Sequence, residues 1–90
     1  MPYALFLEDK KDHLEVRKAN RAAHLAYIKE TGVVLMAGPL LDDHGDMCGS
    51  LIVLDVETLD DAEHWAANDP YQKAGLFEWN RIRNWNKVIG

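Results

Sequence analysis

Cysteine is nearly absent from this chain, and so are the long apolar runs that hold a protein in a membrane. The lone Cys48 excludes an internal disulfide, which fits a reducing compartment. No apolar run approaches the ~20 residues of a membrane span. The start, Met1-Pro2-Tyr3-Ala4-Leu5-Phe6-Leu7, runs straight into acid. It lacks the basic opening and longer apolar stretch of a signal peptide. A cytoplasmic protein with no membrane partner is expected. Proline and glycine are sparse, at three and six residues. With no linker, repeat or low-complexity tract, the expectation is one domain over residues 1–90.

Positive charge is also in deficit. The net charge is −5 with histidine neutral, so a phosphate backbone is repelled and nucleic acid is not an expected partner. Small basic clusters remain at Arg17, Lys18 and Arg21 and at Arg81, Arg83 and Lys87; a small anion fits such a patch. Metal-ligand spacing is missing as well. His44, Cys48 and the aspartates Asp42, Asp43 and Asp46 match neither a zinc site nor a calcium loop. They read as a solvated turn, and no metal is expected.

What is present is pattern. Residues 2–8 are apolar and bounded by a charged run, as in a strand. Residues 12–31 lack proline and glycine, are rich in helix formers, and stop at Gly32. Val33 to Ala37 reads as a buried strand that turns at Gly38-Pro39, and residues 42–46 as a loop. Residues 49–56 form a third strand. Thr58, followed by Asp60 and Asp61, opens a second helix that ends at Asp69-Pro70. A loop leads to a final strand over residues 77–88. The order βαββαβ predicts an α+β, ferredoxin-like fold: a four-stranded antiparallel sheet with two helices on one face. At 90 residues its single core is thin. A second copy packed on the uncovered sheet face would bury more, so a homodimer through that face is expected.

The first helix carries the chemistry. At ~100° per residue, Glu15, Lys18, Lys29 and Glu30 share the solvent side. The opposite side centres on His13, Arg17, Asn20 and His24, with Arg21 beside them. Val16, Ala23 and Tyr27 flank this stripe on one edge; Leu14, Leu25 and Ile28 flank it on the other. A polar stripe facing a core is costly unless its members pair or line a pocket. Arg17 is expected to escape at the helix edge; His24 with Arg21 is read as functional. On the second helix, Ala62, Trp65, Ala66 and Asp69 share the inward stripe. Asp69 then lies at a helix C-terminus, where the dipole disfavours negative charge. His24 or Arg21 would compensate it. The bland alternative is that Asp69 caps a turn ahead of Pro70. A histidine–carboxylate pair moves protons near neutral pH, with the carboxylate fixing the tautomer.

Arg21-Ala22-Ala23-His24-Leu25, Ala37-Gly38-Pro39, Gly49-Ser50, Asp69-Pro70-Tyr71 and Ala74-Gly75-Leu76-Phe77-Glu78 together resemble the segments of the YciI-like family, in the same order over nearly the whole chain. The loop over residues 42–48 is more compact than in some relatives. The resemblance implies a dimeric α/β-barrel assembly of ferredoxin-like protomers and a His–Asp pair at His24 and Asp69. One branch resembles a dehydrochlorinase of chlorinated hydroxyhydroquinones; fold relatives include muconolactone isomerase. Both chemistries are proton transfers on small oxygenated rings or lactones, and neither needs a cofactor.

Four other positions are candidates for binding the substrate. Ser50 can hydrogen-bond a ligand, but it lacks a nucleophile motif. Tyr71 either offers its hydroxyl to a pocket or packs on Pro70. Gly38 and Pro39 read first as turn formers, with the glycine allowing close backbone approach to a ligand. His64 reads as a surface residue. In the last strand Phe77, Trp79, Arg81, Arg83 and Trp85 alternate onto one face, which suits an interface. The expected function is a cofactor-free enzyme. In it His24 acts as general acid or base, Asp69 orients His24, and Arg21 steadies an anionic oxygen of a small-molecule substrate. The alternative is a dimeric module that binds a small anionic metabolite without turnover.

Overall fold

The computed structural model describes residues 2–90. Its elements are β1 (Pro2–Asp9), α1 (Leu14–Thr31), β2 (Val34–Leu41), β3 (Met47–Asp55), α2 (Leu59–Ala67), α3 (Pro70–Lys73) and β4 (Phe77–Asn84). The strands form one sheet in the order β2-β3-β1-β4, antiparallel at every pairing. This is the ferredoxin-like βαββαβ arrangement, with the single turn of α3 added where a loop was expected.

Strand alternation sets the core. Tyr3, Leu5 and Leu7 point to the same face of β1 and stand opposite Leu54, Ile52 and Ser50 of β3. That face meets Ala62, Trp65 and Ala66 of α2, then Tyr71 and Leu76. Val16, Tyr27 and Ile28 of α1 pack on the same cluster. Two cross-bonds tie the helix layer together: Tyr27 donates to the Trp65 carbonyl at 2.8 Å, and the Trp65 indole donates to Thr31 Oγ1 at 2.9 Å. Helix α1 ends at Gly32, whose left-handed φ of 67° lets its N–H reach the Ile28 carbonyl. Helix α2 opens as expected, with Thr58 Oγ1 accepting from the Asp61 N–H at 3.1 Å.

Several boundaries move, for physical reasons. β2 does not turn at Gly38-Pro39 but runs on to Leu41, with Pro39 opposite Ser50. β2 is an edge strand, and an edge tolerates a residue that has no N–H to donate. β4 stops at Asn84 rather than at residue 88. A register shift between Glu8 and Asp9 also separates Phe77 from Trp79. Phe77 turns into the core beside Tyr71, whereas Trp79 stays on the open sheet face with Arg81 over its ring. Phe77 therefore does not share the Trp79 face. Helix α2 ends at Ala67, so Asp69 is not its last turn. Asp69 is instead the cap of α3, with Pro70 in its first turn.

Gly49 has a packing role. A Cβ at this position would run into the Leu7 carbonyl oxygen of β1. The glycine lets β3 approach β1 where the next residue, Ser50, turns to the helix side.

Candidate active site

The site is built between α1 and the β2–β3 half of the sheet. Arg17, Arg21, His24 and Ile28 recur at three- and four-residue spacing, so they share the sheet-facing side of α1. His24 is 6% exposed and Asp69 1%. His24 Nδ1 lies 2.8 Å from Asp69 Oδ1, and the same oxygen accepts from the Tyr71 N–H at 3.0 Å. The two readings of Asp69, histidine partner and turn cap, are thus both true of one oxygen. The short α3 supplies a helix N-terminus, which favours negative charge there. Asp69 Oδ2 is buried with no hydrogen-bond partner among the described residues.

An ionised carboxylate only accepts, so the hydrogen bond assigns its proton to Nδ1; in that tautomer a neutral imidazole carries its lone pair on Nε2. The Tyr71 ring stacks on that imidazole, with centroids 4.0 Å apart and planes 16° from parallel. Burial pushes the Tyr71 phenol above its ordinary pKa, against the opposing pull of Arg17 and Arg21.

Arg17 corrects the sequence reading. It does not escape at the helix edge: it is 2% exposed. Its Nε and Nη2 fork onto the Asp9 carboxylate at 2.7 and 2.8 Å, and Nη2 also donates to Ser50 Oγ at 2.9 Å. Its Cζ lies 4.7 Å from the Tyr71 ring centroid. Burial lowers the guanidinium pKa, but the bond and charge of Asp9, with Tyr71 adding to them, hold it above its ordinary value. No sequence pattern pointed to this pair, because Asp9 sits in a run of charge that reads as a turn.

A pocket of about 120 Å³ opens here, lined by Arg17, Arg21, His24, Gly38, Pro39, Ser50 and Tyr71 with apolar Leu25, Ile28, Met47 and Ile52. An apolar protein cavity of roughly 150 Å³ holds one benzene, so this pocket is on the scale of a single six-membered ring. Asp69 lies behind His24, outside the lining. Three larger hollows, of about 700, 790 and 360 Å³, run along α2–β4, along α1–α2, and between the β1–α1 turn and the β2–β3 loop. None of them contains His24, so the small pocket is the candidate site. Arg21 is exposed at it, with no acid within 4.0 Å among the described residues.

The loop over residues 42–46 is closed by Asp42 Oδ1, which accepts from the His44 and Asp46 N–H groups. Among the described residues no group of three or more His, Cys, Asp or Glu side chains is placed to hold a metal ion. Among the described residues no helix is long and apolar enough to cross a membrane.

Comparison with known proteins adds to this geometry. The model of the YCII-related domain matches residues 1–86. The chain is 36% identical to protein YciI of Escherichia coli O6:H1, covering 99% of this chain and 100% of that protein. It is 33% identical to a 5-chloro-2-hydroxyhydroquinone dehydrochlorinase from Burkholderia phenoliruptrix, solved with 2,5-dihydroxybenzoquinone. That match has a TM-score of 0.89 over 98% of this chain and 96% of the other. A dimeric protein of ferredoxin-like fold from Bacteroides fragilis, 16% identical over 96% of this chain and 94% of its own, has a TM-score of 0.56 and supports the fold alone.

Proposed function

The chain belongs to the family of YCII-related domains, and on that premise we propose that it is a small enzyme whose His24–Asp69 pair moves a proton on a small oxygenated ring. The observation that carries this reading is the buried 2.8 Å pair behind a ring-sized pocket. Its likeness in fold and sequence to a dehydrochlorinase supports elimination, with isomerisation as the related chemistry.

In the elimination on a chlorinated hydroxyhydroquinone, the ring first ketonises, one phenol proton moving to the chlorine-bearing carbon. His24 Nε2 then takes the proton of a second ring hydroxyl; its electrons run through the ring to form the quinone, and chloride leaves from that carbon with its bonding pair. The imidazolium is held by Asp69 and later gives its proton to water. Arg21 and Ser50 face the substrate oxygen on which negative charge builds. The backbone at Gly38 and Pro39 forms one wall, and Tyr71 holds the imidazole plane. Proton transfer of this kind asks for no cofactor, and a cofactor tightly bound to purified protein would contradict that part of the proposal.

The second reading, binding without turnover, is favoured by Arg21 at the pocket without an acid partner. His24→Ala separates the two. An enzyme loses turnover and keeps most of its ligand affinity; a binding module loses affinity and has no turnover to lose.

We also propose that two copies pack through the open sheet face. Phe6, Met36, Leu40 and Trp79 lie exposed on the sheet. Their register partners Arg81, Val53, Gly49 and Glu8 place them on the side away from the helices. Light scattering should give a dimer, and Phe6→Asp should give a folded monomer. A monomeric wild type would contradict this assembly.

A further inference from the structure

We propose that Arg17 is a positioning residue that makes the Ser50 hydroxyl a directed donor toward an anionic oxygen in the pocket. The proposal rests on the reading of the His24 pocket as the reaction site, and it adds a residue that neither the sequence pattern nor the chemistry of the pair requires. A guanidinium only donates, whereas a hydroxyl has one proton and two lone pairs. Arg17 Nη2 at 2.9 Å therefore occupies a lone pair of Ser50 Oγ and leaves the Ser50 proton to be given elsewhere. No described hydrogen bond takes that proton, and Ser50 lines the pocket.

Arg17 is fixed well enough to set this direction. Its Nε and Nη2 are clamped on Asp9, and its Cζ is held over Tyr71. Asp9 reaches it by strand alternation, sharing the helix side of β1 with Leu5 and Leu7. The clamp also offsets the charge of Arg17, so Ser50 is oriented without a second unpaired cation in the pocket. Lysine carries one charged point and cannot hold Asp9 and Ser50 with a planar fork. Ligands of this subsite are rings bearing an ionised or strongly polarised oxygen at the Ser50 end, with the reacting proton toward His24.

The test removes the ion pair as a unit, because Arg17→Met alone strands the buried Asp9 carboxylate and threatens folding. Asp9→Leu/Arg17→Met is expected to melt within a few degrees of wild type. Its affinity for 2,5-dihydroxybenzoquinone, measured by calorimetry, should fall about tenfold, the scale of one hydrogen bond to a charged group. Ser50→Ala should cause the same loss. Adding Ser50→Ala to the paired variant should change affinity by less than twofold, because both act through one hydroxyl. Arg17→Lys should not restore binding. Losses that multiply to about a hundredfold, or a paired variant with wild-type affinity, would overturn the proposal. If wild-type protein fails to bind this quinone, that failure counts against the proposed substrate class. The orientation of Ser50 in a crystal structure of the paired variant then decides the role of Arg17. A turned or split Ser50 rotamer supports it; an unchanged one overturns it.

Discussion

Replacing Asp69 by alanine and by asparagine separates what this carboxylate does for the fold from what it does for chemistry. Oδ1 accepts from both His24 Nδ1 and the Tyr71 N–H, whereas Oδ2 has no partner among the described residues. Asp69→Ala removes a helix cap, worth ~1 kcal/mol. It also leaves the buried His24 N–H without an acceptor, which costs ~2 kcal/mol. The expected total is ~3 kcal/mol, a large share of the ~5–15 kcal/mol that holds a domain folded. In a domain of this size that lowers Tm by ~12–24 °C. Asp69→Asn keeps an oxygen that can accept in place of Oδ1. Its amide nitrogen takes the site of the unpartnered Oδ2, for a cost of ~1 kcal/mol. Its Tm should fall by only ~4–8 °C. Urea unfolding followed by tryptophan fluorescence gives both free energies, and thermal melts give the Tm shifts. The asparagine variant should stay folded yet lose turnover, because a neutral amide does not stabilise the imidazolium. An alanine variant as stable as the asparagine variant would refute the bonding described for Oδ1.

Gly49→Ala drives a methyl into the Leu7 carbonyl, so it should destabilise by ~1–3 kcal/mol in thermal melts; a neutral effect would contradict the close approach of β3 to β1. Burial, with Asp69 adding to it, holds the phenols of Tyr27 and Tyr71 above their ordinary pKa near 10. The unfolded chain therefore loses these protons first. The stability they contribute is complete below pH ~10 and falls as pH rises past it; Tyr71→Phe should flatten that fall in urea titrations from pH 8 to 11. Arg21→Gln should weaken binding of anionic quinones by up to about tenfold and reduce its salt dependence, read by calorimetry at two ionic strengths.

The architecture was legible because each element carries its own period. The His24–Asp69 contact could be anticipated because both residues fall on inward stripes. Asp69 was placed correctly for a partly mistaken reason: α2 ends two residues earlier, and Pro70 starts a new turn that the carboxylate caps. What the sequence hid depends on register. Pro39 reads as a breaker until β2 is known to be an edge, and Phe77 reads as a partner of Trp79 until the shift at Glu8 and Asp9 is seen. Arg17 was missed because the strand reading stops at residue 8. Its acid partner, eight positions away in the chain, is the next residue of that strand and shares the helix side with Leu5 and Leu7.

Chloride release from a chlorinated hydroxyhydroquinone, compared between wild type and a folded His24→Ala variant, tests the central claim most directly. The account predicts stoichiometric chloride and quinone from wild type and none above background from His24→Ala. Equal release by the two proteins would contradict a proton transfer centred on His24.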